Sequence, residues 1–392
     1  MNTQSTPVHI KLWHRGFWMM SIANFLVAMS VYMFLPVIPE WMAAEKSFTN
    51  VDTGISFFAF ALGLFLLGPF CSYLVQRYRR NKICITSILS MAACASALFL
   101  FEQESNHSWV VWLFYLQRFL FGAFFGLAQM VLTSTLVIDT CESFLRTEAN
   151  HSASWFSRLS LSIGPMVGLL LYHAVGFDSV VTAAIVTCVA ACMLVASTKF
   201  PFRAPEEGLH HLSLDRFFLT RGTILFVNLL IINVSIGILF SLRLPFTFYG
   251  FLMGGFLLAL LAQHFVFRTA DLKSEVISAL MFIMAAILLL LTHDLQSVIF
   301  IAPLFIGFGV GIVGARFLLF FIKLSRHCQR GTSQSTFMLA WESGIAIGLG
   351  IGFCLSAIGH TLLLVLSLIL SAVALGIYHF YAHSWFMSHK NR

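Results

Sequence analysis

Long apolar stretches alternate with short polar connections along the whole chain. Twelve such stretches stand out, at about 16–39, 53–75, 83–101, 110–138, 152–173, 179–199, 218–241, 246–267, 275–292, 297–322, 334–357 and 361–383. About 20 apolar residues in helical form cross the hydrocarbon of a bilayer. Helices are the form that satisfies each backbone group within its own segment. The pattern therefore predicts an all-α integral membrane protein with twelve transmembrane helices. One connection differs: the polar link near 200–216 carries two prolines, two glutamates and a histidine pair. It divides the chain into two pseudo-symmetric six-helix bundles, 1–200 and 217–392, joined by a cytoplasmic linker over 201–216.

Composition agrees. The 392 residues are 59% hydrophobic and 10% charged, against about 25% charged in soluble domains. The net charge of +7 lies in short loops and forms no single surface, so nucleic acid is not an expected partner. The loops also set orientation. With the N-terminus inside, the outward loops hold only Lys46 and Arg243, Arg118, Arg158 and Arg316 lie within spans, and the other 18 of the 23 Lys and Arg face inward. The positive-inside rule then makes both termini cytoplasmic. Short loops point to a bacterial inner membrane. The apolar run after Arg15 is too long for a cleaved signal peptide. Eight scattered cysteines without metal-ligand spacing predict no disulfide framework, no zinc site and no cofactor.

Charges inside the spans are the candidate chemistry. Arg118 interrupts the fourth stretch, at a cost of at least about 2.5–3.5 kcal/mol on insertion scales, so it should face an interior cavity and have a partner. Gly122 and Gly126 follow at i+4 and i+8, which lets a neighbouring helix come close. Arg316 and Glu342 lie at similar depth on consecutive antiparallel spans, and their pairing is the simplest way to tolerate both. Glu342 reads as the one deep acid and the expected proton carrier. Arg158, near a span end, is expected to snorkel.

Asn24 and Tyr32 on the first span are polar candidates for a cavity wall; for Asn24 the rival reading is a helix-to-helix hydrogen bond. Trp155 and Trp341 each precede a glycine by nine residues, at equivalent places in the two halves. The basic turn with Arg77, Arg79 and Arg80 is expected to form a cytoplasmic gating latch with the segment that carries Asp139, Glu142 and Arg146, through Asp139 or Glu142. Gly309-x-Gly311-x-x-Gly314 matches a dinucleotide pattern, but it lies mid-span and predicts helix packing. No HExxH, GxSxG or P-loop occurs, so neither an enzyme nor an ATP-driven pump is expected.

These residues resemble the major facilitator superfamily across nearly the whole chain. Pro36-Val37-x-Pro39 is similar to the span-1 signature of its twelve-helix drug/proton antiporter branch. Gln117-Arg118-x-x-x-Gly122 is similar to that branch's span-4 motif, whose arginine is linked to proton coupling. Gly164-Pro165-x-x-Gly168 is similar to its span-5 antiporter motif, and Gly68-Pro69 through Lys82 to its loop 2–3 signature. The chain departs from these patterns: Ser72, Gln76 and Arg79 replace a glycine, an aspartate and a glycine of the loop signature, and Ser160 and Leu169 replace glycines of the antiporter motif. The resemblance implies a monomeric secondary transporter in the lipid bilayer. It would export a small amphipathic molecule in exchange for protons by alternating access. An importer or facilitator on the same fold is the alternative; a membrane receptor or scaffold would be a different class.

Overall fold

All twelve apolar stretches fold as helix. The computed structural model describes residues 11–44, 48–103, 108–142, 144–200, 210–267, 270–292 and 296–391. The spans are α1 (Arg15–Ala44), α2 (Asn50–Arg77), α3 (Arg80–Phe101), α4 (Trp109–Asp139), α5 (Arg146–Val175), α6 (Phe177–Ser197), α7 (Thr220–Phe240), α8 (Phe246–Phe265), α9 (Leu272–Thr292), α10 (Ser297–Leu324), α11 (Arg330–Cys354) and α12 (His360–His389). No strand occurs among the described residues. The start of α1 and the end of α12 share one face, called the terminal face below; the opposite side is the far face.

The prolines of α1 bend the helix and do not end it. Pro36 has no N–H for the Tyr32 carbonyl and crowds it. Helix Arg15–Tyr32 accordingly gives way at Met33, and the chain resumes as helix Phe34–Ala44. α4 loosens near its terminal-face end into a π-helical turn over Leu132–Leu136. There the Thr133 and Ser134 hydroxyls donate to the carbonyls of Gln129 and Met130 one turn back, and such back-bonding bends helices.

Helix pairing shows the internal repeat. α1 packs on α5 and α6, α2 on α4, and α3 on α4 and α6; α7 packs on α11 and α12, α8 on α10, and α9 on α10 and α12. Adding six to each number of the first set reproduces the second. Between the sets, α2 packs on α11 and α5 on α8, and these two pairs exchange under the same operation. The result is two six-helix bundles facing each other across a pseudo-twofold axis.

Glycines set the closest approaches, because helices in lipid associate through packing and not through exclusion of water. A Cβ on Gly122 would overlap the Phe60 carbonyl oxygen, and one on Gly126 would stand 2.6 Å from that of Leu64. The expected close face of α4 therefore meets α2. The Gly309–Gly314 run is helical packing, as its position implied: a Cβ on Gly309 would come 2.5 Å from Ala279 O on α9, and Gly311 and Gly314 face Trp155 and Trp341.

Of the 201–216 linker, residues 201–209 lie outside the described residues. The remainder is held against the terminal face, with Ser213 N–H donating to Pro69 O at 3.0 Å and Arg216 N–H to Thr332 Oγ1 at 2.8 Å.

Candidate functional site

Glu342 sits midway along α11, 5% exposed. The Tyr32 hydroxyl donates to its Oε1 at 2.7 Å. Two cavities meet at this carboxyl. One, of about 20 Å³, is lined by Tyr32, Phe57, Phe60, Arg118, Ile345 and Leu349 as well as Glu342. The other, of about 20 Å³, is lined by Gln129, Thr133, Arg158, Gln334 and Trp341 as well as Glu342. α11 runs from the terminal face to the far face. The cavity using residues after Glu342 therefore lies on the far side, and the one using residues before it on the terminal side. Glu342 is the residue common to the two linings.

The α1 bend and the α5 glycines place Tyr32. Gly164 and Gly168 seat α5 directly on the bend: a Cβ on Gly164 would lie 2.8 Å from Tyr32 Cβ, and one on Gly168 2.5 Å from Met33 O. Pro165 lies inside the helical run of α5, which is not interrupted there. The span-5 motif thus supports the first span at the residue that reaches Glu342.

Two buried arginines line these cavities, one in each. Arg118, 2% exposed, faces the far cavity. Its guanidinium lies 5.2, 5.3 and 5.9 Å from the ring centres of Phe60, Phe121 and Phe57. Its Nε and Nη1 have no hydrogen-bond acceptor, and no carboxylate pairs with it among the described residues, so the expected protein partner is not found. Arg158 does not snorkel. It is 1% exposed and lies across the seam between the bundles, with Nη1 donating to Gly311 O at 3.0 Å, Nε to Ser154 O at 3.2 Å, and Nη2 to Ser154 Oγ. Ser154, one turn back, supplies two acceptors at no entropic distance, and the Trp155 ring 4.1 Å away adds a cation–π contact. That environment replaces water. Ser154 and Trp155, at i−4 and i−3, were the sequence signal for this burial.

The anticipated Arg316–Glu342 pair does not form. Arg316 Nε donates to Glu275 Oε2 at 2.5 Å, with side-chain exposures of 16% and 1%. α10 turns this face toward α9, its main neighbour along with α8, and its contact with α11 is minor. Glu275 is consequently a second buried acid, in the first turn of α9. Asn24 lines neither of these cavities: its Nδ2 donates to Ala153 O at 3.2 Å, bonding α1 to α5. Trp341 lines the terminal-side cavity, while Trp155 lies under Arg158.

On the terminal face, Arg80 forms an ion pair with Asp139. Both belong to the first bundle, so this contact fastens α3 to α4 and does not join the bundles. Glu142 and Arg146 form no ion pair with each other, and Arg77 and Arg79 are exposed. The contacts that do join the bundles involve Asp215 and Arg216, which the basic-turn reading missed. Asp215 accepts from Ser72 Oγ at 3.4 Å and Thr332 Oγ1 at 3.0 Å; Arg216 donates through Nη1 to Thr135 Oγ1 at 3.2 Å. Beside them, a Cβ on Gly331 would lie 2.6 Å from Ser134 O. On the far side α2 meets α11: Phe57 stacks on Phe353 with centroids 5.9 Å apart, and a Cβ on Gly54 would lie 2.7 Å from Gly350 O.

No cluster of potential metal ligands occurs among the described residues. No curated protein matches the chain. Among solved structures, the human organic anion transporter MFSD10 (TETRAN) is similar at 14% identity and TM-score 0.70, covering 93% of this chain and 99% of its own. An auto-inhibited POT family peptide transporter is similar at 11% identity and TM-score 0.69, with 97% and 98% covered. A bacterial homologue of the iron transporter ferroportin, outward-facing, is similar at 15% identity and TM-score 0.66, with 94% and 98% covered. These likenesses show the fold. The model of the Major Facilitator Superfamily matches residues 20–349, most of the chain. The protein belongs to the major facilitator superfamily, and so with membrane transporters and not with enzymes.

Proposed function

We propose that this transporter exports a small organic molecule in exchange for protons, by rocking two bundles, 1–200 and 217–392, about the 201–216 linker. The observation that carries the reading is Glu342, one buried carboxyl that contributes to the wall of both cavities. A coupling group in alternating access must meet each side in turn without opening a continuous path. Glu342 meets that requirement when opening on one face widens one cavity and closes the other. The Tyr32 hydroxyl donates to Oε1, an oxygen that can accept from it as a carboxylate or as the carbonyl of the protonated acid. This tie is between bundles, so proton loss or gain at Glu342 bears directly on how the bundles meet. Arg118 supports the reading through its place in the same far-side cavity. The Lys/Arg bias of the loops makes the terminal face cytoplasmic, in the inner membrane of a bacterium, and the protein acts as a monomer.

The test is transport in inside-out vesicles. Imposing an acidic lumen should drive substrate uptake into the lumen, and a protonophore should abolish accumulation. Equal counterflow with no response to a pH gradient would replace this reading by a facilitator.

A further inference from the structure

The two arginines of these cavities differ in what they hold. Arg158 gives all three nitrogens to protein oxygens. Arg118 leaves Nε and Nη1 buried with no acceptor, and its neighbours are aromatic rings. Glu342 is the one acid on either cavity wall. With two arginines against one carboxyl, the linings keep at least one uncompensated positive charge whatever the protonation state of Glu342. An unpaired ion in hydrocarbon is costly, and a counter-charge removes much of that cost. The rest of the far-side wall is apolar, with Phe57, Phe60, Ile345 and Leu349. The space left between these side chains is about 20 Å³, room for a water molecule, so an organic ligand enters when opening on the far side widens it.

We infer that this cavity binds an amphipathic organic monoanion, its carboxylate or sulfonate on Arg118 and its apolar body between Phe57, Phe60 and Leu349. Guanidinium nitrogens bind such heads through charge-assisted hydrogen bonds. An organic cation would add charge to a site already in excess, and a neutral polar molecule would leave it uncorrected. The inference deepens the transport reading and rests on it for its biological use, but binding is measurable without transport.

The experiment is equilibrium dialysis of the full-length protein in nanodiscs, with empty nanodiscs as the blank. The probes are 4-butylbenzoate, 4-butylbenzamide and 4-butylbenzylamine, with acetate as a competitor. Hydrogen bonds to a charged group imply that the benzoate binds about 10- to 100-fold tighter than the amide, with the amine weakest. Arg118→Lys should retain most of this preference and Arg118→Gln should abolish it. Acetate should be at least about 100-fold weaker than the benzoate, because each buried methylene is worth roughly a factor of four.

Amide or amine binding as tightly as the benzoate overturns the inference, and that comparison needs only the native protein. An anion preference that survives in folded Arg118→Gln overturns the assignment to Arg118. Acetate competing as well as the benzoate shows a small-anion site and overturns the amphipathic ligand. Anion-selective binding by a protein that moves no benzoate would retain the inference and reject the transport reading. Uphill transport with the amide preferred would do the reverse.

Discussion

Replacing Glu275 by leucine strands Arg316 inside the second bundle. The two side chains meet at 2.5 Å, and Glu275 is 1% and Arg316 16% exposed. Removing one partner of a buried pair costs about 3–5 kcal/mol, chiefly because the other charge remains. The exposed edge of Arg316 lets water offset part of this, which puts Glu275→Leu near 3 kcal/mol. Arg316→Leu should cost as much or more, because Glu275 has almost no access to water. The double leucine variant loses both charges and keeps apolar bulk, so it should fall within about 1 kcal/mol of the native protein. Thermal denaturation in detergent, followed by size-exclusion chromatography, reads this as about 1 °C per kcal/mol for a chain of this size. Each single variant should lose roughly 3–5 °C and the double should recover most of it. The same cycle on Arg316 and Glu342 should show additivity within about 0.5 kcal/mol, as for groups that share no partner. Additive losses at Arg316 and Glu275, or strong coupling of Arg316 to Glu342, would refute the pairing described here.

Three further outcomes follow from the packing and the terminal face. Gly122→Val drives a side chain into the Phe60 carbonyl, which backbone cannot yield, whereas Gly376 has nothing within 4 Å of an added Cβ; the first should lose at least the 1–3 kcal/mol typical of overpacking and most monodisperse yield, and Gly376→Val should lose neither. Asp215→Ala removes the acceptor shared by Ser72 and Thr332; a half-exposed contact of this kind is worth about 1 kcal/mol, so spin-label distances across the terminal face should show the separated population rising about fivefold. Cys328 is the exposed cysteine among those described, in the α10–α11 connection; in a variant keeping it alone, an impermeant maleimide should label inside-out vesicles and spare intact cells, and the opposite result would invert the proposed topology.

The spans were legible because their signal is local: apolar length decides each one by itself. The burial of Arg118 and the close face of Gly122 and Gly126 were equally legible, since charge cost and i+4 spacing need no knowledge of the partner. Contacts between distant segments were not. Tyr32 and Glu342 are 310 positions apart, and nothing local to either announces the other. The choice of Glu342 for Arg316 used depth and sequence adjacency, which fix height in the membrane but not rotation about the helix axis. Rotation gave Arg316 to Glu275, a residue at the boundary of its span and so read as a span end. Arg158 was misplaced for a related reason: distance from a helix end permits snorkelling, but neighbouring acceptors decide whether the side chain needs water. The basic turn was legible as charge, and its Arg80 meets Asp139. The bundle-to-bundle contacts of the terminal face lie at Asp215 and Arg216, whose ladder of hydroxyl partners appears only when three helices converge.

The most direct test of the central proposal is Glu342→Gln in reconstituted vesicles. Glutamine keeps the shape and an oxygen for the Tyr32 hydroxyl but cannot carry a proton. Substrate binding and counterflow exchange should persist, with rates that no longer change with pH. Accumulation driven by a pH gradient should fall to the level of vesicles treated with protonophore. A Glu342→Gln protein that still concentrates substrate against its gradient when driven by protons would contradict the assignment of coupling to this carboxyl.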